Sequence, residues 1–108
     1  MIFHVCKKEV WEEEKESGSF GKQELAAYGL IHSSEKEGLR KILSRFSDIE
    51  AYVVLYIDED PIQDKIFYEE KDKEKLYPHF HEPIDIGLVV KTEPLKTFIE
   101  TSFGEASR

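Results

Sequence analysis

The sequence predicts an α+β domain built from about five strands and two to four helices. Its length of 108 residues fits one domain, so residues 1–108 are expected to fold as a unit. Short runs rich in β-branched and aromatic residues, of which residues 51–57 are the clearest, indicate strands. Apolar residues at helical spacing within residues 39–46 indicate an amphipathic helix that packs against those strands.

Each predicted element rests on a local pattern. The first strand alternates, with Phe3 and Val5 on one face and His4 on the other, while residues 51–57 are apolar on both faces, as in a central strand. The first helix is anchored by Trp11, and its Glu/Lys run is expected to face water. The predicted strands are 2–6, 30–33, 51–57, 66–70 and 87–91, and the predicted helices are 7–18, 23–28, 34–48 and 95–103.

The helix predicted after the second strand begins with a capping box, because Ser34 is followed three residues later by Glu37. Its buried stripe, at positions i, i+3, i+4 and i+7, consists of Leu39, Ile42, Leu43 and Phe46. Residues 76–87, which prolines interrupt, are predicted to form a loop, and residues 104–108 a frayed tail.

Composition argues against several classes of protein. The formal net charge is −8, with 23 acidic and 15 basic residues, so duplex nucleic acid would be repelled, although local donors can still hold a mononucleotide. No apolar run approaches the roughly 20 residues of a membrane span, and no signal peptide is visible. The single cysteine, Cys6, cannot form an internal disulfide, which favours a cytoplasmic protein.

Two histidines interrupt apolar strands. His4 lies in the first strand and His32 in the second, and an imidazole in a strand must find partners for both ring nitrogens. For either histidine alone, backbone carbonyls are sufficient partners. If the two strands are neighbours, both rings open into one cleft and form a candidate catalytic site.

Ser33 and Ser34 follow His32 where a strand gives way to a helix. Ser34 is two residues after His32, so an extended chain directs both side chains to one face. Free N–H groups at a helix N-terminus suit a phosphate or another anion. We therefore expect the two serines to bind an anionic part of a ligand, without help from a glycine-rich phosphate loop.

The second histidine pair, His79 and His81, has H-x-H spacing, which directs both side chains one way in an extended chain. Metal sites usually need three or four protein ligands, and no third ligand is marked by its spacing, so no metal is expected. The two histidines are instead expected to line a pocket, near Tyr77, or to lie on the surface. Glu69, at the end of a predicted strand, is either an inward carboxylate acting as a base or an edge-strand charge.

Three segments together resemble the bacterial family called domain of unknown function 952. They are IFHV near the start, YGLIHSS in the middle and YEE…LYPHFHEPI later. Members of that family typically open with an aromatic-His pair, continue with Gly-x-Ile-His-x-Ser, and end with an aromatic-Glu pair and an aromatic-Pro-His turn. The resemblance extends from residue 2 to about residue 92, and it departs from the family at His81 and Glu82, where Tyr-Gly is usual.

The resemblance implies an ADP-ribosyltransferase-like fold, a compact split mixed β-sheet of about five to six strands flanked by helices. It further implies that His4 contacts the ribose of NAD and that His32 and Ser34 hold the pyrophosphate or nicotinamide side. A late glutamate drives transfer in that superfamily, and the candidates for it in this chain are Glu69 and Glu82.

The sequence leaves two functions open. In the first, a small domain binds NAD, ADP-ribose or a similar nucleotide and catalyses glycosyl or ADP-ribosyl transfer or hydrolysis through His4, His32 and Glu69. In the second, a non-catalytic binding module keeps the fold without the chemistry. A third, metal-dependent alternative places an ion at His79 and His81, and a chelator would then lower the melting temperature. The oligomeric state is left open.

Overall fold

The computed structural model describes residues 1–104, which form seven strands and four α-helices. The strands are β1 (Ile2–Lys7), β2 (Ser19–Phe20), β3 (Ile31–His32), β4 (Tyr52–Ile57), β5 (His79–Phe80), β6 (Ile84–Asp85) and β7 (Val89–Pro94). The α-helices are α1 (Lys8–Glu14), α2 (Lys22–Tyr28), α3 (Lys36–Lys41) and α4 (Leu95–Phe103). Of the predicted frayed tail, residues 105–108 lie outside the described residues.

The main sheet has three antiparallel strands in the order β1-β4-β7. Its central strand, β4, separates two apolar clusters, because successive side chains of a strand point to opposite faces. Leu55 packs in one cluster with Ile2 and Phe80, and Val54 in the other with Leu39 and helix α4. The prediction of a central strand that is apolar on both faces is therefore confirmed.

Two short antiparallel ladders, β2-β6 and β3-β5, lie outside the main sheet. The α+β class is confirmed, but the prediction of one mixed sheet with five to six strands is wrong for residues 1–104, where every strand pair is antiparallel. The four strands of the small ladders have two residues each, too few to extend the main sheet. The bridge between Phe3 and Ser34 connects the segment after β3 to the free edge of β1.

The helix predicted at 34–48 is shorter than expected. It begins at Lys36 and ends at Lys41, and a 3-10 turn at Leu43–Arg45 follows it. The predicted capping box is wrong, because Glu35 is the N-cap residue and no side chain caps the helix. Ser34 instead exchanges two backbone hydrogen bonds with Phe3, both 2.8 Å long. With Ser34 paired to Phe3, the helix begins one residue later than the capping box requires.

Two other local predictions are corrected by the structure. Residues 66–70 do not form a strand; only Phe67 pairs, through a single bridge to His79. The predicted loop at 76–87 contains β5 and β6, which Pro83 separates. Strands β5 and β6 pair with the short strands β3 and β2, which lie far away in the sequence, so local patterns carry little sign of them. No helix within residues 1–104 is long and apolar enough to cross a membrane.

Candidate functional site

The three short pairings around β3 bring three of the predicted histidines together. The Phe3–Ser34 bridge places β3 beside β1, and Nδ1 of His4 lies 2.6 Å from the backbone oxygen of His32. In the β3-β5 ladder His32 stands directly opposite His79, and the centroids of their rings are 5.1 Å apart. His4 and His79 are buried, whereas the His32 side chain is 57% exposed. The segments that carry His4 and His32 are therefore neighbours, which is the condition that the sequence sets for a shared site.

A carboxylate that the sequence did not mark connects these histidines. Oε2 of Glu24, in helix α2, accepts a hydrogen bond from the backbone nitrogen of His32 at 3.0 Å and lies 2.5 Å from its Nδ1. Oε1 of Glu24 lies 3.5 Å from Nε2 of His4. Glu24 therefore bridges one buried and one exposed imidazole.

The partners of each ring determine where its hydrogens sit. A carbonyl oxygen only accepts, so Nδ1 of His4 must donate to His32, and the contact of Nε2 with Glu24 is attractive only when Nε2 also carries a hydrogen. Nδ1 of His32 donates to the Glu24 carboxylate, which leaves the lone pair of a neutral His32 ring on Nε2. The arrangement is that of a carboxylate-oriented histidine, which can accept a proton at Nε2.

Electrostatics favour an ionised glutamate and a basic imidazole. Burial acts to raise the pKa of Glu24, but the hydrogen bonds from His32 and the charge of His4 outweigh it and hold the pKa below its ordinary value. The hydrogen bond to Glu24 raises the pKa of His32, against the effect of partial burial. His32 therefore becomes a stronger base than an isolated imidazole.

Helix α2 is held in place by a second carboxylate, Glu14, at the end of α1. Its Oε1 accepts from the backbone nitrogen of Gly21 at 2.7 Å and its Oε2 from that of Gln23 at 2.9 Å. These are free N–H groups at the start of α2, where negative charge is stabilising. The expectation that the Glu/Lys run faces water is wrong for Glu14, which is buried. Glu14 thereby fixes the helix that carries Glu24.

His79 is buried beside His32, and one of its ring nitrogens has no hydrogen-bond partner within residues 1–104. This nitrogen is Nδ1, which is itself buried. Burial lowers the pKa of His79, and the neighbouring charge of His32 lowers it further. The folded protein thus keeps His79 neutral and leaves a buried polar atom unsatisfied, which is destabilising.

We expect the substitution His79→Leu to stabilise the protein by about 1 kcal/mol at pH 7, because it removes a buried unsatisfied nitrogen at similar volume. The stabilisation of His79→Leu relative to the wild type should grow as the pH falls. Since the pKa of folded His79 lies below its ordinary value of 6.5, the unfolded chain binds the proton first, and stability is lost as the pH falls through this interval. Urea unfolding at several pH values measures both effects.

The exposed His81 offers the matched control, since His81→Leu should change the free energy of unfolding by less than about 0.5 kcal/mol. Equal loss of stability in acid for wild type and His79→Leu would contradict this account of His79.

Three predicted ligand-binding residues have partners inside the protein. The hydroxyl of Ser33 donates to the carbonyl of Pro78 at 2.7 Å, and Ser34 is buried at the bridge to β1. The hydroxyl of Tyr77 donates to the carbonyl of Gly38 at 3.0 Å and fastens the loop before β5 to helix α3. These contacts hold together the segments that carry His4, His32 and His79.

Glu69 and His81 both lie on the exposed surface. Glu69 makes no side-chain hydrogen bond to a histidine within residues 1–104, although its charge acts to raise the pKa values of His32 and His79. The ring of His81 lies 4.3 Å from that of Phe67, between ring centroids. His79 and His81 therefore differ in burial, and neither belongs to the one group of three close potential metal ligands within residues 1–104, Asp58, Glu59 and Asp60.

A cleft of about 410 Å³ opens beside Glu24, a volume within the range of small-molecule sites. His4 and Glu24 line its floor, and Tyr28, Phe46 and Tyr52 supply aromatic walls. His32 does not line this cleft, so the expectation that the rings of His4 and His32 open into one cleft is not met. Cys6 also lines it, but burial and the neighbouring carboxylates Glu14 and Glu24 raise the pKa of its thiol to about 12. The thiol is therefore protonated at neutral pH, and a protonated thiol is a poor nucleophile.

Comparison with known proteins identifies the family. The model of the family described as "Protein of unknown function (DUF952)" matches residues 5–92, and the chain belongs to this family. The resemblance drawn from IFHV, YGLIHSS and YEE…LYPHFHEPI is confirmed to that extent.

Solved structures of one bacterial protein share the fold. The crystal structure of protein CC0527 from Caulobacter crescentus is 21% identical, with a TM-score of 0.72 over 85% of this chain and 82% of that chain. The solution NMR structure of the same protein is also 21% identical, with a TM-score of 0.69 over 86% of this chain and 82% of that chain. No match to this chain was found among proteins of curated function.

Proposed function

We propose that this protein binds a nucleotide of the NAD or ADP-ribose type and transfers or hydrolyses its glycosidic bond, with His32 as the general base. The observation that carries the proposal is the contact between Glu24 and Nδ1 of His32, which leaves Nε2 of a half-exposed ring free to take a proton. A histidine with a raised pKa, hydrogen-bonded to a carboxylate that lines an aromatic cleft, is the kind of group that general base catalysis requires.

In the proposed step, His32 accepts a proton and nicotinamide leaves as a neutral molecule. Nε2 of His32 takes a proton from water or an acceptor hydroxyl while that oxygen forms a bond to the anomeric carbon of the ribose. The bond from this carbon to the nicotinamide nitrogen breaks, and its electron pair neutralises the pyridinium ring. The leaving group then needs no proton, so a single base suffices. Glu24 stabilises the imidazolium that forms.

The other residues predicted to belong to the site contribute to ligand contact, to support of the strands or to charge. His4 lies at the floor of the cleft, where its ring fixes Glu24 and is placed to meet ribose hydroxyls. Ser33 and Ser34 hold the strands and do not act directly on the ligand. Glu69, which is exposed, contributes charge, and the carboxylate that orients the base is Glu24. We further propose a relation to the ADP-ribosyltransferase fold, supported by the separate β3-β5 ladder that the Phe3–Ser34 bridge connects to the edge of β1.

A non-catalytic binding module is the second candidate. The exposure of Glu69 favours it, because a glutamate that drives transfer would be expected to lie against the reacting ribose. The same nucleotides would then bind without being cleaved.

Two measurements on the full chain test the proposal. We expect NAD and ADP-ribose to produce saturable amide NMR shifts near His4, His32 and Tyr28, and NAD to be cleaved to nicotinamide. The variant His32→Asn keeps a donor for Glu24 but lacks Nε2, so it should bind NAD and lose cleavage by at least about 100-fold.

The control is Glu100→Gln, at an exposed residue of α4 that does not line the cleft, which should cleave NAD at the wild-type rate. Saturable shifts without cleavage would establish the binding module instead. The absence of shifts with millimolar NAD and ADP-ribose would overturn the nucleotide proposal altogether.

A further inference from the structure

A row of rings crosses the surface beside His32. Its members in spatial order are Tyr28, His32, His79, Phe67 and His81, and we call it the ring row. The ring centroids are 6.2 Å apart for Tyr28 and His32, 5.1 Å for His32 and His79, and 4.3 Å for Phe67 and His81. All members except His79 are exposed.

Strand register produces the row. His79 stands opposite His32 in the β3-β5 ladder, and on its other side it exchanges two backbone hydrogen bonds with Phe67. Directly opposed residues of antiparallel segments put their side chains on one face. Phe67 and His32 therefore flank His79 through backbone pairing. The ring of Tyr28 beside His32 and the ring of His81 beside Phe67 continue the row at either end.

Exposed apolar surface is concentrated here. Within residues 1–104 four large apolar side chains are more than half exposed, namely Met1, Tyr28, Phe67 and Val90. Two of them, Tyr28 at 73% and Phe67 at 53%, lie on opposite sides of the histidine pair. An isolated exposed apolar residue needs no explanation, but two exposed aromatic rings on either side of a histidine pair, one of whose buried nitrogens has no partner within residues 1–104, do.

We propose that the ring row binds the heteroaromatic base of a small nucleoside or nucleotide by stacking. This inference rests on the proposed function, because it places the base of that ligand next to the proposed general base. Aromatic and imidazole faces stack on any base, and the free nitrogens of His32 and His81 offer hydrogen-bonding partners for its edge.

The size and charge of the row favour a small ligand. Four exposed side chains are far fewer than the 20–30 residues per side of a typical stable protein interface. A long nucleic acid strand is disfavoured by the net charge of −8 and by the carboxylates of Glu69 and Glu82 at the border of the row. The base itself is uncharged and small, so it meets neither obstacle.

Amide NMR titration with adenosine tests the proposal. We expect saturable shifts at Tyr28, His32, Phe67 and His81, whereas ribose 5-phosphate, which has no base, should leave these amides unchanged. The variant Phe67→Ala should weaken adenosine binding about tenfold. Phe67→Leu keeps an apolar side chain and removes the ring, so the same weakening in a variant with a native-like spectrum would identify stacking.

The substitution Val90→Ala, at an exposed apolar residue outside the row, should leave adenosine affinity unchanged. Lack of saturable adenosine shifts at millimolar concentration, or equal affinity of Phe67→Leu and wild type, would overturn the ring-row proposal. Cleavage of NAD by a chain that does not bind adenosine would reject the row and retain the proposed function. Adenosine binding without NAD cleavage would retain the row and reject the catalytic proposal.

Discussion

The substitution Glu24→Gln is expected to reduce cleavage of NAD by about 100-fold while leaving NAD binding largely intact. A glutamine oxygen can still accept from Nδ1 of His32, and its amide can donate to Nε2 of His4, so both contacts have a neutral equivalent. The negative charge is lost, and with it the main cause of the raised pKa of His32. Initial rates measured across a pH series would show both the loss and the shift.

The matched control is Glu13→Gln, which removes one exposed carboxylate from the neighbouring helix and changes the net charge equally. It should cleave NAD at the wild-type rate. A Glu24→Gln variant with an unchanged rate would show that the carboxylate does not assist the base.

The substitution Gly21→Ala is expected to destabilise the protein by about 3 kcal/mol. Gly21 has φ of +96°, a conformation that disfavours a side chain, and an added Cβ would lie 2.2 Å from Cδ1 of Ile31. Ile31 is fully buried and precedes His32 in β3, so it has little room to move. Urea unfolding would measure the loss, a large part of the roughly 5–15 kcal/mol typical of a domain.

The steric and conformational parts of this loss can be separated with Gly18→Ala. Gly18 has φ of +90°, but an added Cβ would meet nothing within 4 Å. It should therefore show only the conformational part, about 1 kcal/mol. Equal destabilisation by the two substitutions would contradict the tight contact between Gly21 and Ile31.

The elements that the sequence predicted well are those whose signal is local. Strands β1 and β4 and helix α4 follow hydrophobic periodicity, and each was expected within a few residues of its observed bounds. The two-residue strands β5 and β6 have no such signal, because their pairing depends on distant partners. The capping box failed because the bridge between Ser34 and Phe3, 31 residues apart, prevailed over a local preference.

The candidate site was predicted only in part. His4 and His32 were identified because an imidazole is unusual in a short apolar strand. Glu24 was missed. Gly29 ends α2 and turns the chain, so that β3 runs back along the helix and His32 comes next to Glu24. Glu14 was missed within an acidic run, although it follows Trp11 by three residues and Val10 by four, and therefore shares their buried helix face.

The protonation and the tautomer of His32 distinguish a base oriented by Glu24 from an ordinary imidazole. We would follow the ring nitrogens of the four histidines by NMR in labelled wild-type protein from acid to alkaline pH. Because Glu24 accepts a hydrogen bond from Nδ1, we expect His32 to titrate above its ordinary pKa of 6.5 and its neutral ring to carry the hydrogen on Nδ1. Titration of His32 at or below 6.5, with the hydrogen of its neutral ring on Nε2, would contradict the claim that Glu24 orients a catalytic base.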